Sequence, residues 1–367
     1  MGRSTEYNIL IICEGTNTEP LFFNSIRDRI IDKVFDIEDV VINILPKPKI
    51  EGEGDEEEVS GHGKKRRKRE LKQGTKPVEE ISGTPPEKWI RAAQKELEDG
   101  AYEEVWAVFD HDNHPTRKEA FELATKNING KQVQIAFTSI SFEYYLLLHF
   151  EKIYKTFDKS ECRESHNKEH KHPKSYNCGT NKHSEDCHGD KCINGYMRTK
   201  GYITIDDSTK GGTSVFNLIK DKLEIGFINA AWIRYKSNYI DSEIPIYDRN
   251  PYVTTDKIVS RLIYGSILEY VYVGFDETYK IENSFEIKVG QDSIWIKNIS
   301  NTTKIIPKNI FQFIAAERKP IIFGERKVID NSSDSTFAIP ENIKSRNGLI
   351  LFSWENYRIF FEKEMIS

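Results

Sequence analysis

The sequence contains no run approaching the roughly 18 apolar residues that a membrane-crossing helix needs, so no membrane partner is expected. Cysteine is scarce: there are five in 367 residues, and four of them fall between residues 162 and 192. So few, so unevenly placed, cannot form the disulfide framework of a secreted protein. The opening residues, Met1 to Tyr7, lead straight into an apolar strand without a signal-peptide core or cleavage site, which predicts a cytoplasmic protein. A Gly-x-x-x-x-Gly-Lys-Ser/Thr loop is missing, so the chain is not itself a P-loop ATPase. No internal repeat of about 20 to 50 residues is present, which excludes a solenoid. Nor does either charge dominate, with 53 Lys+Arg against 58 Asp+Glu and a net charge of −5. That balance excludes a uniformly basic nucleic-acid binder and confines any such contact to a local patch.

Aromatic residues are plentiful, with 20 Phe, 17 Tyr and 5 Trp. A chain this aromatic with 30% charged residues predicts folded domains that carry at least one solvated insertion. The run Tyr7–Cys13 reads as a strand buried on both faces of a parallel sheet. It ends at Glu14-Gly15, and a helix through Leu21, Phe22, Ile26 and Ile30 follows. A second strand is expected at Val40–Leu45, closed by Pro46-Lys47-Pro48. Further along come a helix through Trp89, Ile90, Ala93 and Leu97, a strand at 104–109, a helix at 116–127, a strand at 133–138 and a helix from Phe142 to Phe150. This alternation predicts an α/β fold with a mainly parallel, doubly wound sheet flanked by helices, over 1–157. Helical periodicity resumes at Ser214 to Ile225 and at Thr255 to Tyr270, giving a helical stretch over 201–268. Alternating patterns such as 293–297 and 348–352 predict a β-rich C-terminal domain over 269–367.

Two segments interrupt this order. Residues 47–84 hold an acidic block around Glu51 to Glu58 and then Lys64, Lys65, Arg66, Arg67, Lys68 and Arg69, which reads as a disordered charged loop. The six basic residues are candidates for a phosphate backbone in nucleic acid. Residues 158–200 form a Cys/His-rich insertion with Cys162, His166, Cys178, His183, Cys187 and Cys192. So little apolar sequence needs another source of order. Structural Zn²⁺ supplies one, with the four cysteines as ligands and His166 or His183 replacing one of them, in a zinc-knuckle-like arrangement.

The acidic residues carry the chemistry. In an open α/β sheet the ligand sits outside the carboxyl ends of the strands. Glu14 follows the first strand, and Asp110 and Asp112 follow the third, two residues apart and therefore on one side of an extended segment. Converging carboxylates suit Mg²⁺ or Mn²⁺, and Glu143, at the start of a helix, adds a further candidate ligand. Two such metals about 3.5 to 4 Å apart activate water and stabilise a leaving oxygen in phosphodiester hydrolysis. His111, His114 and His149 invite a proton-shuttling reading, of which His111 is the candidate catalytic residue. Lys200, Lys210, Arg234 and Lys236 could extend a positive path.

Four ordered motifs carry a resemblance. They are Cys13-Glu14-Gly15-x-x-Thr18-Glu19-Pro20-x-Phe22-Phe23, Val108-Phe109-Asp110-x-Asp112, Ser141-Phe142-Glu143 through to His149-Phe150, and Asn250-Pro251-x-x-Thr254-Thr255. The first two look like the signature of the Toprim fold of topoisomerases, primases and overcoming-lysogenization-defect nucleases. All four together resemble the RloB-like family over roughly residues 5 to 265. That resemblance implies a Toprim-type, Mg²⁺-dependent nuclease acting on DNA or RNA, including tRNA, as an effector in anti-phage defence beside an ATPase encoded nearby. Glu14 would be a metal ligand or general acid/base, Asp110 and Asp112 metal ligands, and Glu143, with His149 on the same helix, an assisting group. A homo-oligomer is compatible with this. The alternative from another class is a non-catalytic, zinc-containing adaptor that binds nucleic acid or the partner ATPase.

Overall fold

The computed structural model describes residues 7–15, 18–30, 40–46, 85–111, 116–158, 160, 192–203, 212–315 and 319–363. The basic block 64–69, Asp112, His114, Lys210 and the Cys/His positions from Cys162 to Cys187 lie outside them. The chain divides into two compact units. One takes Met1–Leu147, Thr156–Asp221 and Ile246–Asn250; the other takes Leu148–Lys155, Lys222–Pro245 and Pro251–Ser367.

In the first unit the apolar run forms β1 (Tyr7–Cys13), and Ile9 to Cys13 are fully buried, as a strand covered on both faces requires. It is joined by β2 (Val40–Leu45), β3 (Glu104–Asp110) and β4 (Gln134–Thr138) in an all-parallel sheet of order β2-β1-β3-β4. Parallel neighbours need crossovers, which here run through α1 (Thr18–Ile30), α2 (Pro86–Glu98) and α3 (Arg117–Ala124). The chain passes from β1 out to β2 and then returns across β1 to β3. The direction of winding therefore reverses between β1 and β3, which makes their carboxyl ends the topological switch point where open α/β sheets bind ligands.

Helix packing follows from where the apolar side chains recur. Pro85 and Pro86 open α2, which buries Trp89, Ile90, Ala93 and Leu97. Each large apolar side chain buried in this way contributes about 1.5 to 3 kcal/mol. Beyond β4 come α4 (Phe142–Leu147), α5 (Ile193–Thr199) and α6 (Gly212–Ile219). Phe22 of α1 stands edge-on to Phe142 at 5.1 Å and to Phe216 of α6 at 5.8 Å, so aromatic edges fasten three helices together.

The second unit holds a helix that the periodicity did not reveal. After α6 stops at Ile219, a 3₁₀ turn over Lys220–Lys222 leads into the 18-residue α7 (Leu223–Ile240). Its apolar side chains, among them Leu223, Ile225, Phe227, Trp232 and Ile233, are spread around the helix and form no single stripe. The helix expected over 255–270 is shorter: α8 spans Thr255–Tyr264, Gly265 ends it at a φ of 70°, and β5 (Glu269–Val273) begins soon after. Arg234 does not belong to a positive surface. Its guanidinium is bidentate to Asp256 at 2.6 and 2.9 Å and donates to the carbonyls of Val253 and Tyr270, tying α7 to α8 and β5.

The β-rich region is present. A five-stranded sheet runs Ile321–Phe323, Phe311–Ile314, Gly348–Trp354, Tyr357–Lys363 and β5; a four-stranded one runs Asp334–Ala338, Ser293–Asn298, Phe285–Val289 and Thr278–Ile281. Alternate residues of both, such as Ile287, Ile294, Phe311, Phe352 and Phe361, meet in one apolar core. Among the described residues no helix is long and apolar enough to cross a membrane.

Candidate functional site

Backbone pairing holds the ends of β1 and β3 together. Cys13 is paired with Val108, and Glu14 extends the ladder by donating its N–H to the Val108 carbonyl at 2.9 Å. At the end of β3, the Asp110 N–H donates to Glu14 Oε2 at 3.1 Å. The two carboxylates that the sequence singles out therefore sit side by side at the switch point. Asp110 also pairs with Thr138 of β4, and the chain then turns into α4. The first residue of that helix, Phe142, gives its N–H to the Asp110 carboxylate, which brings Glu143 to the same edge.

A fourth carboxylate is present that spacing alone did not mark. Glu19, in the first turn of α1, is only 8% exposed. An acidic residue there reads from sequence as a partner for the helix dipole, and the signal that could have singled it out is its place in the Thr18-Glu19-Pro20 motif. The structure turns Glu19 inward against Gly15: a Cβ on Gly15 would fall 2.1 Å from Glu19 Oε2. Glycine after Glu14 leaves room for that carboxylate.

The electrostatics follow from this crowding. Asp110 is part-buried, and its pKa is pushed well above the ordinary value by desolvation first and then by the charges of Glu19, Glu14 and Glu143; the Phe142 N–H works in the opposite direction. Burial, followed by Glu19 and Asp110, likewise raises the Cys13 thiol. Like charges held this close in a partly desolvated place favour protons or a cation. The four donors are all carboxylate oxygens, the hard set that suits Mg²⁺ or Mn²⁺, and a divalent ion would relieve their repulsion. Glu14, Asp110 and Glu143, with Glu19 beside them, are the residues that would hold it. In the arrangement described, Glu14 is engaged by a backbone N–H, and among the described residues no three His, Cys, Asp or Glu side chains stand in metal-ligating geometry.

The remaining candidates are placed as follows. His111 donates its N–H to the Thr138 carbonyl at 3.0 Å, and its ring stands edge-on to Phe137 with 6.2 Å between centroids. Because α4 ends at Leu147, His149 is not on that helix; it belongs to the second unit, where it is buried against Gly226 of α7, whose Cβ would lie 2.4 Å from Nε2. Of the zinc candidates only Cys192 is described. It is a buried cysteine that forms no disulfide among the described residues and caps α5 by accepting the Gly195 N–H at 3.4 Å.

No curated protein and no solved structure shows significant similarity to this chain. The sequence profile of RloB-like proteins, by contrast, matches residues 9–262, a stretch that begins in β1, ends in α8 and carries Glu14, Glu19, Asp110 and Glu143. With well over half of its length matched, the chain belongs to the RloB-like protein family.

Proposed function

We propose that this chain is a Toprim-type, divalent-metal-dependent nuclease that hydrolyses phosphodiester bonds in DNA or RNA. The observation that carries the reading is the meeting of Glu14, Asp110 and Glu143 at the carboxyl ends of a parallel sheet, at its switch point. Bound Mg²⁺ would supply an activated water and neutralise charge on the phosphoryl group. The chain's own residues do the rest. The ladder bond from Glu14 to Val108 and the bond from the Asp110 N–H to the Glu14 carboxylate hold these two residues at one edge, and a bound cation would draw Glu14 away from that N–H. Asp112, two residues beyond Asp110, is a further ligand in this reading.

A role as an effector of anti-phage defence, working with an ATPase, is carried by the family resemblance alone. The test is cleavage of supercoiled plasmid, linear DNA and total tRNA in Mg²⁺ or Mn²⁺, with and without such an ATPase. Metal-dependent cutting that is lost in Glu14→Ala and Asp110→Ala supports the proposal. Cutting that survives both changes refutes it, and nucleic-acid binding without turnover under every condition favours the adaptor.

A further inference from the structure

Glu143 is tied to a residue far along the chain. Its Oε2 accepts a hydrogen bond from Ser160 Oγ at 3.0 Å. Ser160 is fixed in turn: its carbonyl accepts the Asn194 N–H at 3.1 Å and the Cys192 thiol at 3.4 Å. Cys192 is buried and caps α5, so this clasp is anchored to a helix start and not to a loose loop. Ser160 and Cys192 also bracket, in sequence, the stretch that carries the other Cys/His candidates.

We infer that Ser160 is a positioning residue for Glu143, locked by Cys192 and Asn194, and that metal binding at the carboxylates and closure of this clasp are coupled. The inference rests on the metal-dependent reading above. The backbone of Glu143 is already fixed, since Phe142, Tyr144 and Tyr145 around it on α4 are buried. What remains free is the rotation of a long, partly exposed side chain, and the Ser160 bond selects one setting of it. Groups that orient metal-binding carboxylates in this way change affinity by about 10 to 100-fold when removed. Because coupling is reciprocal, a bound cation that holds Glu143 also holds Ser160 and its two partners.

The test is Mn²⁺ binding to the full-length protein, read from the electron paramagnetic resonance signal of free Mn²⁺ and independent of any cleavage. Ser160→Ala is expected to weaken binding about tenfold with an unchanged melting temperature before metal is added. Ser160→Thr, which keeps the hydroxyl, is expected to restore it. In the wild-type protein Mn²⁺ is expected to slow hydrogen exchange at the Asn194 amide. If wild-type protein binds Mn²⁺ and Ser160→Ala binds it equally well, the positioning role is overturned and the metal reading stands. If Ser160→Thr fails to recover what Ser160→Ala loses, the hydroxyl is not the cause and the inference also falls. If wild-type protein binds no Mn²⁺, the metal reading fails and takes the inference with it.

Discussion

Asp110 shows how the site trades stability for chemistry. Its carboxyl is pushed up by burial and by Glu19, Glu14 and Glu143, so the ionised cluster strains the metal-free protein. Glu19→Gln removes the charge that raises Asp110 most after desolvation. It is expected to raise metal-free stability at neutral pH by about 1 kcal/mol while reducing the stabilisation that Mn²⁺ confers. Thermal unfolding with and without Mn²⁺ checks both, and a loss of stability without metal would show that Glu19 makes a structural bond worth more than the repulsion. Gly15→Ala puts a methyl group on the Glu19 carboxylate and is expected to weaken Mn²⁺ binding, because Glu19 must move. Part of this was legible in the sequence. Glu14 and Asp110 follow apolar strands and could be placed at a sheet edge from that alone, but Glu19 looked like an ordinary first-turn acid, and only its inward turn against Gly15 reveals it.

At the scale of elements, legibility depended on whether an element has two faces. β1 is a continuous apolar run and α2 a clean stripe, and both formed where expected. α7 has apolar residues around its circumference, so its period carried no sign of the 18-residue helix; what orders it is tertiary, through Arg234 and Phe227, whose ring lies 4.9 Å from Tyr270. Asp256→Ala leaves the largely buried guanidinium of Arg234 without its counter-charge, holding only the Val253 and Tyr270 carbonyls, and is expected to cost about 3 to 5 kcal/mol in denaturant unfolding. A loss below about 1 kcal/mol would mean that the pair is dispensable to the unit. Glu224, in the first turn of α7, adds a pH signature. Desolvation of its carboxyl raises its pKa against the opposing hydrogen bonds from Tyr270 and Tyr264 and the charge of Arg358, and because the residue as a whole is exposed, water screens the effect on stability. A carboxyl raised in the folded state contributes stability that is full below its unfolded value and is lost as pH rises through the folded one. Glu224→Gln is therefore expected to raise the melting temperature only slightly at pH 7 and to leave it nearly unchanged at pH 4. An equal shift at both values would contradict that cause.

For the whole molecule, the net charge of −5 hides an uneven distribution. The acidic block and the basic block of 47–84 nearly cancel, whereas the carboxylates at the switch point gather negative charge in one part-buried place. A divalent cation there should act on one compact unit only. Hydrogen exchange with Mn²⁺ is expected to gain protection at the ends of β1 and β3 and at the start of α4, with none in the β-rich region. The central claim, that this carboxylate edge cuts phosphodiester bonds with a divalent metal, is tested most directly by a single-turnover assay. Wild-type, Glu14→Ala and Asp110→Ala proteins are compared on plasmid and tRNA across a Mg²⁺ titration. The account predicts strand cleavage that rises with Mg²⁺, stops on chelation and falls by at least about 100-fold in either variant. Cleavage that persists in both folded variants, or that ignores the metal, would contradict it.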